Sequence, residues 1–192
     1  MSKNSSLKSV IARCHRDLNT LFFVHQEAVL IGELSAAIDS LHRYAEAHHL
    51  HKQFEDDHLL QRLADLDDPG DWPTSLYRHE HSKIDDTLKR VEENVVRLQA
   101  RELSGTALRF GIIEILDREK SFKGLCEHHQ EREEAGMLPA LDRHTEPEWR
   151  NAIIAPFVEA WRATVIVPDF PDVIPDLELE DTQKNPVLRT SP

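Results

Sequence analysis

The chain has 192 residues, with 23 Lys plus Arg against 35 Asp plus Glu and a formal net charge of −12, which makes nucleic acid a poor partner. The length suits a single domain with a substantial core. Neither the N-terminal MSKNSSLKSVIARCHRD nor any later stretch has an apolar run of signal-peptide or membrane-span length, and two cysteines, Cys14 and Cys126, fit a reducing compartment, so the expectation is a cytoplasmic protein with no membrane partner.

Taken in chain order, the pattern is helical throughout. Apolar residues recur at helical spacing and strand-like alternation is absent. A first helix is expected over about Leu7 to Ile31, a turn near Gly32 to Ser35, and a second helix over about Ala36 to Asp65. DDPGDWPTS, residues 67 to 75, reads as a loop with Thr74 or Ser75 capping the next helix. The third helix, about Leu76 to Arg101, carries the stripe Ile84, Leu88, Val91, Val95 and Leu98. A fourth follows from about Thr106 to Ala135, and Pro139 is expected to end or bend it. TEPE, residues 145 to 148, reads as a capping box with Thr145 as N-cap, opening a fifth helix that carries Trp149, Ile153, Phe157 and Trp161, with a kink at Pro156.

The predicted architecture is therefore all-α, an antiparallel up-down four-helix bundle over residues 1 to 141, an accessory helix over 142 to 167 and a Pro-rich acidic tail, extended or disordered, over 168 to 192.

One pattern in this chain carries chemistry, and it occurs twice: HKQFEDDHLLQRL at residues 51 to 63 and HQEREEAGMLPAL at residues 129 to 141. Each copy has a His, a carboxylate four residues on, a second acid directly after it, and apolar residues eight, nine and twelve places from the His. Residues at i and i+4 share a helix face, so His51 with Glu55, and His129 with Glu133, each aim an imidazole and a carboxylate at one point. Leu59, Leu63, Met137 and Leu141 continue the same face inward. Polar groups on a core-facing stripe are costly unless something satisfies them, and a cation accepts both donor types.

Among the twelve histidines, His48, His49, His58, His79 and His128 have no carboxylate four residues on and read as solvated or partly buried surface residues. His81 on the third helix precedes Ile84 and Leu88 by three and seven and so faces the core, with Asp85 beside it as an outer or exposed acid. On the first helix the candidates are His15 and His25. Counting heights from the turn at Gly32 matches His15 to His51 and puts His25 roughly 13 Å too low at 1.5 Å per residue, which favours His15 while leaving His25 as the alternative. The expected metal site is His15, His51, Glu55, His81, His129 and Glu133.

In these residues the chain resembles the hemerythrin family, in its bacterial form the HHE cation-binding domain, from CHRDLNTLF through HKQFEDDHLL and EHSKI to EHHQEREEAGMLPAL, about residues 7 to 141. The resemblance implies a non-haem di-iron centre, oxo- or hydroxo-bridged, with Glu55 and Glu133 bridging two iron ions and the four histidines as terminal ligands. Oxygen-carrying members use five histidines, two of them four residues apart on the third helix, and an Asp in the fourth-helix motif. Here the neighbours of His81 at that spacing are Tyr77 and Asp85, so coordination positions stay open.

Three functions follow as expectations. The first is a binding or sensing protein for O2 or NO, or one that handles iron. The second is a di-iron redox enzyme acting on peroxide or nitric oxide or repairing iron-sulfur clusters, in which Cys126, Tyr44 and Tyr77 would take part. The third is an interaction module with a structural metal. A homo-oligomer is compatible with the sequence.

Overall fold

The computed structural model describes residues 6–66 and 70–168, and all regular structure among them is helical. Helix α1 spans Leu7–Ile31, α2 Leu34–Phe54, α3 Leu60–Ala64, α4 Thr74–Gln99, α5 Gly105–Arg132, α6 Leu138–His144 and α7 Pro147–Thr164. Two π-turns, Glu55–Leu59 and Glu133–Met137, join α2 to α3 and α5 to α6 without breaking the helical path. The tail expected beyond Pro168 and residues 67–69 of the expected loop lie outside the described residues.

The ends of α1 follow from its sequence. The Ser6 hydroxyl accepts from Ser9 N at 3.1 Å, and the Asp142 carboxylate of α6 takes the free N–H groups of Leu7 and Lys8 at 2.9 and 3.2 Å. Gly32 closes the helix in the left-handed region at φ 82°, and its N–H bonds the Val29 carbonyl at 3.0 Å.

Two of the expected caps take different forms. α4 begins at Thr74 behind Pro73, with no side-chain cap, because proline already sets the backbone for the first turn. Thr145 closes α6 rather than opening α7: its hydroxyl donates to Leu141 O at 2.6 Å, and Glu146 holds the N-cap position. Nor does the helix end at Pro139. That proline falls in the first turn of α6, directly after a π-turn, and the helical path continues through it.

Helices α1, α2, α4 and α5 pack against one another as a helical bundle. Asn19 meets Gln130 and Gln26 meets Glu119; His42 meets Glu92 where Lys52 meets Asp85. At mid-height the rings of Phe22, Tyr44 and Phe122 touch one another with centroids 5.0 to 5.8 Å apart. Below them a second apolar cluster, with Val29, Ala37, Val95 and Ile115, fills the closed end. Helix α7 lies across α1 and α2, stacking Phe157 on Phe54 at 4.0 Å. No helix of the described residues is long and apolar enough to cross a membrane.

Candidate metal centre

The two motif segments share a departure from α-helical geometry. In each, the ligand and core positions step by four three times over: 51, 55, 59, 63 and 129, 133, 137, 141. On a 3.6-residue helix every step of four drifts about 40°, so three would carry the stripe off the core face. A π-turn adds a residue to one turn and cancels that drift. Both π-turns begin at the motif glutamate, and Glu55, Leu59, Leu63, Glu133, Met137 and Leu141 are all buried.

All six expected residues converge, and each is buried. They form two groups that could hold a metal ion, His15–His51–Glu55–Glu133 and Glu55–His81–His129–Glu133, the donor atoms of each group lying within 4.8 Å of one another. The two glutamates belong to both groups through different oxygens. Glu133 Oε2 lies 3.1 Å from His15 Nε2 while its Oε1 lies 2.8 Å from His129 Nε2. Glu55 Oε1 lies 3.3 Å from His51 Nε2 while its Oε2 lies 3.2 Å from His81 Nε2.

The acid that follows each motif glutamate serves the opposite helix pair. His15 Nδ1 donates to Glu134 Oε1 at 2.7 Å, and His81 Nδ1 donates to Asp56 Oδ1 at 3.0 Å. His129 Nδ1 donates to Glu80 Oε2 at 3.0 Å, and Glu80 is itself gripped by the Arg132 guanidinium. In each case the outer carboxylate takes Nδ1, so Nε2 is the nitrogen left facing inward toward the motif glutamates. Glu80 carries no helical-spacing signal of its own; its burial beside His81 is the feature that sequence inspection missed.

The electrostatics match a site short of positive charge. Burial pushes the Glu55 carboxyl up to about 7, with Glu133 adding to the rise. Burial would raise Glu133 too, but His129, His15 and His81 around it hold its carboxyl well below the usual range. Burial disfavours the imidazolium of His81 and of His129, yet Glu133 and its neighbours outweigh it and push them up to about 10 and about 9. His51, desolvated and facing His15, moves the other way, well below the ordinary value.

His25 lies apart from this cluster. Its Nδ1 donates to Ala37 O at 2.8 Å and its Nε2 meets Glu119 Oε1 at 3.0 Å, so neither ring nitrogen is left for a metal. His48, expected near the surface, is buried with its ring stacked on Tyr44 at 5.9 Å, because the step of three from His51 turns it inward. His49, His58, His79 and His128 are exposed. Asp85 sits outside the cluster, bound by Lys52. The tyrosines are core residues: Tyr77 donates to Arg132 O at 3.4 Å, and the Tyr44 hydroxyl lies 3.7 Å from Cys126 Sγ.

Set beside family models, curated proteins and solved structures, the chain matches none of them. The fit of a cation to this site therefore rests on its atoms. His15 Nε2, His81 Nε2 and both oxygens of Glu55 and of Glu133 are buried with no well-aligned hydrogen bond, facing only one another at ion-pair distance. Buried polar atoms whose hydrogen bonds are incompletely made are costly, and a cation among them would satisfy all of them together. A mixed imidazole and carboxylate set suits a divalent transition metal.

Proposed function

We propose that this chain is a hemerythrin-like protein, an up-down four-helix bundle holding two iron ions, with Glu55 and Glu133 bridging them, His15 and His51 completing one position, and His81 and His129 completing the other. The observation that carries this reading is the division of each carboxylate between the two histidine pairs, one oxygen to each. A pair of irons there would supply a redox-active centre able to take a small ligand such as O2 or NO. The chain's own contribution is to orient the histidines through Asp56, Glu80 and Glu134, to bury the donors from water, and to carry charge opposite to the metals on Glu55 and Glu133.

Binding or sensing is favoured over turnover. The residues that a redox enzyme would call on are committed elsewhere: the Cys126 thiol is pushed up to about 12 by burial, and the hydroxyls of Tyr44 and Tyr77 face Cys126 and a backbone carbonyl. Anaerobic purification, metal analysis and an optical spectrum before and after oxygen test the reading. Two irons per chain with oxygen-dependent charge-transfer bands are expected. Near-stoichiometric zinc, or two irons with no such bands, sinks it.

A further inference from the structure

The two histidine pairs are not equivalent in what stands behind them. His81 and His129 are each held from outside by a carboxylate, at 3.0 Å in both cases, and His15 by Glu134 at 2.7 Å. His51 differs. Its Nδ1 is buried and has no hydrogen-bond partner. Against its ring packs the indole of Trp161 on α7, in a T-shaped contact with centroids 6.3 Å apart. The indole N–H is latched to Asp17 Oδ2 at 2.9 Å.

Between α1 and α7 runs a cavity of about 480 Å³ lined by Ser9, Arg13, Cys14, Val158, Trp161 and Arg162 among others. Next to Glu133, Trp72 packs closely against Gly136, where an added Cβ would come within 2.8 Å of its ring, and the Tyr77 hydroxyl is within 3.3 Å of the same point. One position is thus built on two braced histidines; the other includes an unbraced histidine beside a ring that borders a cavity.

Outer carboxylates set ring orientation and ligand basicity, and loss of one costs on the order of 10- to 100-fold in metal affinity. Resting on the dinuclear reading above, we propose that the position built on His15 and His51 is the weaker, exchangeable one, loaded second and emptied first through the α1–α7 cleft, with Trp161 as its lid.

The test is titration of the metal-free full chain with cobalt(II), followed by optical absorption and by release to a chelator. Two steps separated by about 10- to 100-fold are expected, and His51→Ala should delete the weak step while keeping one tight equivalent. Asp17→Ala, which unlatches the indole without touching a ligand, should speed chelator release of one cobalt only. Two equivalents binding with equal affinity, or a tight step that disappears in His51→Ala, overturn the inference and leave the dinuclear reading standing. A single step with equal release of both ions in Asp17→Ala does the same. No cobalt bound at all overturns both.

Discussion

Glu134 Oε1 stands 2.7 Å from His15 Nδ1, so the residue directly after one buried motif glutamate steadies a histidine on another helix. Asp56, directly after the other, does the same for His81 at 3.0 Å. The acidic pair at the heart of each motif therefore divides its work: the first acid faces inward, and the second reaches sideways to brace the neighbouring helix.

Removing such a brace should weaken metal binding and spare the fold. The Glu134 side chain is 35% exposed, and the buried His15 ring it leaves keeps Glu133 beside it at 3.1 Å, so Glu134→Ala strands no unpaired charge. Metal affinity should fall about 10- to 100-fold while the melting temperature of the metal-free chain stays within a few degrees. Competition with a chelator and a thermal melt measure the two. Unchanged affinity would show that the contact does not orient His15.

His15 and His25 should separate cleanly. His15→Ala should lose metal. His25→Ala should keep wild-type metal content but destabilise the chain by about 2–4 kcal/mol, since it leaves Oε1 of the buried Glu119 carboxylate unpaired, with only Gln26 still bonding Oε2. Metal analysis alongside urea denaturation checks both halves, and metal loss in His25→Ala with retention in His15→Ala reverses the assignment.

The metal-free chain should become less stable as pH rises above neutral. His81 and His129 have raised folded-state values, about 10 and about 9, so their contribution is complete below their ordinary value near 6.5 and disappears as pH climbs through 9 and 10. Glu55, raised to about 7, acts in the same direction at lower pH. Bound metal needs those imidazoles neutral, so the loaded chain should not show the alkaline decline. Melting both forms at pH 6.5 and 9.5 should give a metal-dependent stabilisation that is larger at the higher pH. A gap that shrinks with pH contradicts the charge pattern assigned to the site.

Neither thiol should be reactive in the folded chain. Burial pushes Cys126 up to about 12 and raises Cys14 as well. Alkylation by iodoacetamide at pH 8 should run at least about 100-fold slower than for a free thiol, and speed up on unfolding. Mass spectrometry reads the extent, and rapid modification of Cys126 in the native chain would reopen a redox role for it.

Gly136→Ala should disturb the centre from behind. The new Cβ meets the Trp72 ring at 2.8 Å inside the π-turn that starts at Glu133. A cost of about 1–3 kcal/mol is expected, with weakened metal retention. Wild-type melting and retention would mean that Trp72 moves aside freely.

The repeated motif was legible because its logic is local. A His and a Glu four residues apart share a helix face wherever that helix packs, and chain length between turns sets height, so His51, Glu55, His81, His129 and Glu133 could be named, and His15 preferred over His25, before any contact was seen. The steps of four that the π-turns absorb were also present in the sequence, as a period too long for an α-helix. What no spacing contains is which side chain ends up behind another. Glu80 beneath His129, Asp56 behind His81, the unpartnered Nδ1 of His51 and the indole of Trp161 against its ring all depend on how far one helix is rotated and shifted against the next. The sequence alone determined the helices and the inward-facing donors, through periodicity within single segments; only the tertiary structure decided how those donors are braced and covered, because those contacts join residues 25 to 119 positions apart.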